Sequence, residues 1–126
     1  MSRWAVGDTE RAPLTAPVFQ ILLSLIDENL HGYALIQDIR DRTGGEVSLT
    51  ASTLYTAIKR LVAADLIEEV GRPRGEKDDP RRRYYGITAG GRETLRAEAA
   101  RLERLTAMAR KKKLLPALRT VSAKER

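Results

Sequence analysis

Ser52, Thr53, Tyr55, Thr56 and Lys59 crowd into one short stretch, and each ends in a hydroxyl, a phenol or an ammonium. No acid interrupts the chain from Thr50 to Val62. Side chains of this kind read surfaces rather than break bonds: short hydroxyls and a lysine can meet base edges and phosphates in a DNA groove. A second basic set follows. Residues 72–83 hold Arg72, Arg74, Lys77, Arg81, Arg82 and Arg83 against Glu76, Asp78 and Asp79, six positive charges minus three negative, or +3. Solvated charge is the ordinary role of such a loop. Directly after a donor-rich helix, and beside Tyr84, it suits a clamp on the sugar–phosphate backbone.

Catalysis finds little to work with. The chain has one histidine, His31, no cysteine and no glycine-rich phosphate loop. No nucleophile–base pair and no thiolate metal site can be assembled from these. The sequence therefore predicts a protein that is not an enzyme and that holds no cofactor or metal. His31 stands at the start of a predicted helix, where contact with backbone or a neighbouring side chain is the expected role.

The elements that must position these groups follow from periodicity. Leu54, Ile58, Leu61 and Val62 recur at helical spacing and predict a helix that buries one stripe and turns the donors outward. Thr50 is placed to cap its first turn. An ordinary surface helix with one core face would show the same stripe. The preceding helix is marked by Tyr33, Leu35, Ile36 and Ile39, ends near Thr43 and is stopped by Gly44 and Gly45. Two helices joined this tightly form a helix-turn-helix, the second member being the reader. Before them, Thr15 caps a helix with Pro17 in its first turn, running to about Glu28 and apolar nearly all round. The stretch Asp27–Gly32 reads as a polar turn.

After the reading helix, Leu66–Val70 and Arg81–Ile87 predict a hairpin with a long tip, Gly71 to Pro80. Strand parity sets Tyr85 and Ile87 on one face and Tyr84 on the other. Thr88 then caps a last helix reaching about Lys113. Leu95, Ala99, Leu102, Leu105 or Thr106, and Ala109 form a narrow stripe on it, with Arg96, Glu98, Arg101, Glu103 and Arg104 filling the rest. Such a stripe is the mark of a two-helix seam.

Composition agrees. The 126 residues carry 23 Lys and Arg against 17 Asp and Glu, a net charge of +6, with a pI near 10. That balance favours a polyanionic partner, nucleic acid or an anionic membrane surface. The N-terminus has no apolar signal core. The longest apolar run, Val18 to Ile26, is interrupted by Gln20 and Ser24 and falls far short of the ~20 residues that span a bilayer. A cytoplasmic protein without a membrane partner is expected.

Helix, helix-turn-helix, hairpin wing and long helix, in this order and with these residues, resemble the PadR family of bacterial winged-helix transcriptional regulators, in its shorter branch with a single C-terminal helix. Three segments carry the resemblance. Leu30-His31-Gly32-Tyr33-Ala34-Leu35 is similar to the family's His-Gly-Tyr opening of the second helix. Ser52-Thr53-Leu54-Tyr55, with Ile58, Arg60-Leu61 and Leu66-Ile67, is similar to the reading helix and first wing strand. Arg82-Arg83-Tyr84-Tyr85-Gly86-Ile87-Thr88, with Gly91 and Leu95, is similar to the second wing strand and the start of the last helix. Two positions depart: members commonly have Gly where Ser52 stands and often Pro where Thr56 stands. Some small members bind flat drug-like molecules with a tryptophan on the last helix. No aromatic stands on this one, so that mode does not transfer.

The resemblance implies a mainly α chain with a small β-hairpin: an arm over 1–14, a winged helix-turn-helix DNA-binding domain over 15–88, a dimerisation helix over 89–115 and a basic tail over 116–126. It implies a signal-responsive repressor, dimeric on a promoter palindrome. The alternative is a winged-helix module that binds another protein and touches DNA without sequence preference. The expected DNA contacts are Ser52, Thr53, Tyr55, Thr56, Lys59, Arg72, Arg74, Lys77, Arg81, Arg82, Arg83 and Tyr84. The expected homodimer interface is Phe19, Leu22, Leu23, Leu95, Ala99, Leu102, Leu105 and Ala109. A small-molecule effector, if one acts, is expected between the first helix and the partner's last helix, near Phe19, Leu23, Leu95 and Leu102, with Trp4 at the mouth.

Overall fold

A computed structural model describes residues 13–73 and 79–118. Trp4, Arg74 and Lys77 lie outside the described residues. The chain is mainly α, with helices α1 (Ala16–Ser24), α2 (Gly32–Arg42), α3 (Ala51–Ala63) and α4 (Ala89–Lys111), and strands β1 (Leu30–His31), β2 (Ile67–Val70) and β3 (Tyr84–Ile87). The strands form an antiparallel sheet in the order β1-β3-β2.

Three helices start on threonine for one reason. The first N–H groups of a helix have no partner within it, and a short side-chain oxygen one residue ahead supplies one. Thr15 accepts from Val18 N–H, Thr50 from Thr53 N–H at 3.1 Å and Thr88 from Gly91 N–H at 2.9 Å. The stops are equally local. Gly44 and Gly45 take φ of +63° and +85° after α2. After α3 the left-handed residue is Asp65, φ +62°, with Leu66 N–H returning to Leu61 O at 2.9 Å and Asp65 N–H to Val62 O at 3.0 Å. That closure turns the chain straight into β2.

Three boundaries differ from the sequence expectation, one being the returning strand, which begins at Tyr84 rather than Arg81. The first helix ends at Ser24 rather than near Glu28. The residues that follow turn the chain so that Leu30 and His31, expected as a polar turn, join the sheet beside β3, with Leu30 opposite Tyr85 and His31 opposite Tyr84. A strand of two residues shows no alternation of its own; it exists because β3 offers an open edge.

The core lies where α1, α2, α3, the sheet and the start of α4 meet. Ile21, Leu22, Leu35, Ile39, Leu54, Ile58, Leu61, Ile67, Tyr85 and Leu95 form it. Val62, expected in the buried stripe of α3, is exposed. Gly91 is the crossing point of α4 over the sheet: a Cβ there would fall inside contact distance of the Leu66 carbonyl oxygen and 2.7 Å from Ile87 Cγ1. A glycine in this first turn weakens the helix slightly but lets α4 lie directly on the backbone.

A buried polar tie holds α4 to the beginning of α1. The Glu98 carboxylate is 2% exposed. It accepts from Arg101 Nε at 2.7 Å and Nη2 at 2.8 Å, and from Leu14 N–H at 3.1 Å. The Arg101 guanidinium, with help from Leu14 N–H, holds the carboxyl below the usual range against the opposing effect of burial. On the sequence Glu98 belonged with the solvated charges of the helix; the structure places it inside.

Candidate nucleic-acid interface

The outward face of α3 is as the donor pattern requires. Leu54, Ile58 and Leu61 are buried beneath it, while Ser52, Thr53, Tyr55, Thr56 and Lys59 are all exposed. Thr53 Oγ1 accepts from Thr50 Oγ1 at 3.0 Å and keeps its own proton to donate. Tyr55 leans away from the other donors. Its phenol lies across the first turn of α2, with its Cζ 2.7 Å from where a Gly32 side chain would begin. The ring remains half exposed, so it packs and presents at once.

The wing root stands beside this face. Tyr55, Asp79, Arg81, Arg82, Arg83 and Tyr85 line an open groove of about 430 Å³ between α3 and the start of β3. Each of the three arginines has a different intrachain neighbour, two of them carboxylates. Arg81 grips Asp79 through Nε at 3.1 Å and Nη2 at 3.0 Å, and its backbone N–H donates to the same carboxylate. Those bonds, then the nearby Arg82 and Arg72, hold Asp79 below the usual carboxylate range. Arg83 pairs with Glu69 of β2 at 3.6 Å. Arg82 Nη1 lies 3.2 Å from His31 Nε2. Surface pairs of this sort contribute little to stability. Arg72 is exposed just before the tip of the wing.

Tyr84 departs from its expected role. It is 6% exposed, and its ring meets His31 edge-on, centroids 5.2 Å apart at 86°. Parity does set it on the opposite face from Tyr85, but on that face the His31 ring of the neighbouring strand packs against it. Tyr84 therefore positions the wing root and is not presented to a groove. Tyr85, in the core, has its phenol pushed up by burial first, then by Tyr55 and Glu69, against the opposing pull of Arg83. The residue that sequence reasoning missed at this surface is His31 itself. Its Nδ1 caps α2 by accepting from Ala34 N–H at 3.2 Å, the structural role expected, while Nε2 reaches the wing. Only the third strand brings the two together, and that strand left no signal.

The expected dimer face also divides. Leu22 and Leu95 are buried in the chain's own core at 0% and 5% exposure and have no surface to offer a partner. Phe19 and Leu23 are half-buried. Ala99, Leu102 and Leu105 are exposed, Ala109 partly so, and Met108, absent from the expected set, is exposed with them. The expected effector site cannot include Leu95, which belongs to the core. Another cavity, of about 720 Å³, opens between α1 and α2, lined by residues including Leu23, Ile26, Asp27, Gln37 and Arg42. Among the described residues no helix is long and apolar enough to cross a membrane, and no cluster of metal-ligating side chains occurs.

Comparison with known proteins bears on the whole arrangement. The profile of the transcriptional regulator PadR-like family matches residues 21–97. An uncharacterised protein of Lysinibacillus sphaericus is 32% identical over 76 residues, covering 60% of this chain and 67% of that protein. Among solved structures, a PadR family transcription regulator of Clostridium difficile is similar with a TM-score of 0.67 at 23% identity, over 77% of this chain and 97% of that one. A PadR family regulator of Eggerthella lenta is 30% identical with a TM-score of 0.59, over 75% and 78%. The PadR protein of Bacillus subtilis, solved in complex with operator DNA, is similar with a TM-score of 0.54 at 21% identity, over 89% of this chain and 55% of that one. Four helices, a three-stranded wing sheet and a profile match across more than half its length identify the chain as a member of the PadR-like family of transcriptional regulators.

Proposed function

We propose that this regulator is a homodimer that binds a promoter palindrome and represses transcription until a signal changes the spacing of its two α3 helices. The observation that carries the reading is the acid-free donor face of α3, every donor of which reaches the surface, flanked by the arginines of the wing root. The Bacillus subtilis PadR, similar in fold, was solved on operator DNA, which supports the same use of this face. In this reading residues 15–88 bind DNA, 89–115 dimerise, the arm 1–14 and basic tail 116–126 flank them, and the protein works in the cytoplasm. Ser52, Thr53, Tyr55, Thr56 and Lys59 face the major groove, and Arg72 and Arg81–Arg83 grip phosphates. Phe19, Leu23, Ala99, Leu102, Leu105, Met108 and Ala109 form the seam. A small-molecule effector would act by shifting that seam.

The test is to sequence DNA fragments selected by the purified protein, then titrate salt on the selected and scrambled duplexes. Selection of a palindrome with half-sites about one helical turn, or a multiple, apart is expected. Arg82→Ala should weaken both duplexes and flatten log affinity against log salt by about 0.9 for each phosphate that Arg82 neutralises on each subunit. Thr56→Ala should leave the slope and reduce discrimination by ~1–3 kcal/mol if it meets a base. No enrichment over random DNA would favour the protein-interaction module instead.

A further inference from the structure

Gly32 is the first residue of α2, and it is buried. Over it stands the ring of Tyr55, which comes from the outward face of α3. A Cβ on Gly32 would fall inside contact distance of Tyr55 Oη, 2.7 Å from its Cζ and 3.3 Å from its Cε1. Gly32 is not among the glycines with positive φ. Its backbone would accept a side chain, and the ring is what excludes one. That ring is still 46% exposed. It lines the groove that Arg81, Arg82 and Arg83 share with Asp79, which Arg81 already grips. The phenol thus sits where the two helices of the helix-turn-helix meet, beside basic side chains. In that motif the first helix crosses the DNA backbone and the second enters the groove, so a strand passes at their junction. A phosphate oxygen there accepts from a tyrosine O–H as well as from a cation. In a helix χ1 keeps to two staggered wells. A ring barred from its present place swings to the other well and takes its oxygen out of the junction.

We propose that Tyr55 donates its phenol hydrogen to a DNA backbone phosphate at the edge of the groove, and that Gly32 is the positioning residue whose missing side chain holds the ring there. The assignment rests on the chain being a DNA-binding regulator and deepens that reading. Tyr55 serves affinity for any duplex, and base reading is left to the rest of the α3 face.

A double-mutant cycle on the selected and scrambled duplexes tests both parts. Tyr55→Phe removes the hydrogen bond and keeps the ring. It should lower affinity by roughly 3–10-fold on both duplexes and leave the salt slope unchanged, since no cation is lost. Gly32→Ala should cost at least as much affinity with an undiminished thermal midpoint, because only the far end of an exposed ring has to move. In a Tyr55→Ala background the same Gly32→Ala change should cost nothing, the ring being gone. Wild-type affinity in Y55F overturns the phosphate contact, and so does a loss confined to the selected duplex, which would put the phenol on a base. Wild-type affinity in G32A overturns the positioning role, as does a G32A loss that persists in Y55A. Should G32A alone fail to fold, Y55F and the comparison of Y55A with G32A/Y55A decide. A wild type that binds no duplex of any sequence overturns the regulator reading itself, a different result from duplex binding indifferent to Tyr55.

Discussion

The two halves of α4 obey different rules. From Ala89 to Glu98 the helix buries Gly91, Thr94, Leu95 and Glu98 against its own chain. From Ala99 to Lys111 it buries nothing, yet it still carries Leu102, Leu105 and Met108, 38%, 46% and 61% exposed. Leu95, Leu102 and Ala109 are successive sevens on one stripe, so the pattern that reaches the core continues past the end of it. The second half extends roughly 20 Å beyond Glu98. A helix that short is marginal in water without packing. In the dimer proposed above, one continuous stripe would serve two partners, the chain's own core first and a second copy after it.

The largest effects should separate the halves. Leu95→Ala should destabilise each chain by about 2–5 kcal/mol, measured as a fall in the urea midpoint that does not depend on protein concentration. Leu102→Glu should leave the winged domain folded and weaken dimerisation on the order of 100-fold, about 3 kcal/mol, by putting a charge from each chain into the seam. Sedimentation at micromolar concentration reads this directly. A wild type that sediments as a monomer removes the second partner and leaves the exposed stripe unexplained.

Acid sharpens the contrast further. The pKa of Glu98 is lowered on folding, so its stabilisation is present above the ordinary carboxylate range and is lost as pH falls through the lowered value. Glu98→Gln should therefore narrow the gap in stability between neutral and acid pH, with the whole difference appearing at neutral pH. The second half of α4 has no counterpart to this group. The smallest effect expected is at the far end. Lys113 takes φ +64° to close α4, with Leu114 N–H returning to Ala109 O at 3.0 Å. Lys113→Gly should stabilise by about 0.5 kcal/mol, seen as a small rise in thermal midpoint.

Much of this was legible from residue types alone. Thr15, Thr50 and Thr88 announced three helix starts because the need for an acceptor there is local. The donor face of α3 was legible because the buried stripe of Leu54, Ile58 and Leu61 fixes which way the rest must point. What periodicity cannot supply is the identity of the covering surface, and so Leu22 and Leu95 read as seam and proved to be core. Glu98 with Arg101 three residues on reads as a solvated pair; only the path of residue 14 across α4 makes it buried. The Arg82–His31 contact depended on β1, a strand too short to show any alternation.

That strand has a consequence for how the chain can change length. His31 is both the last residue of β1, opposite Tyr84, and the cap of α2, which starts at Gly32. No residue is spare between them. One inserted there would either lose the cap or reverse which side chain faces the core. By loop-closure entropy alone, lengthening the connection between Gly71 and Pro80 would cost little. Gaps between related chains should therefore gather at the wing tip and be missing from 30–32, so that length, rather than identity, would record what this junction does.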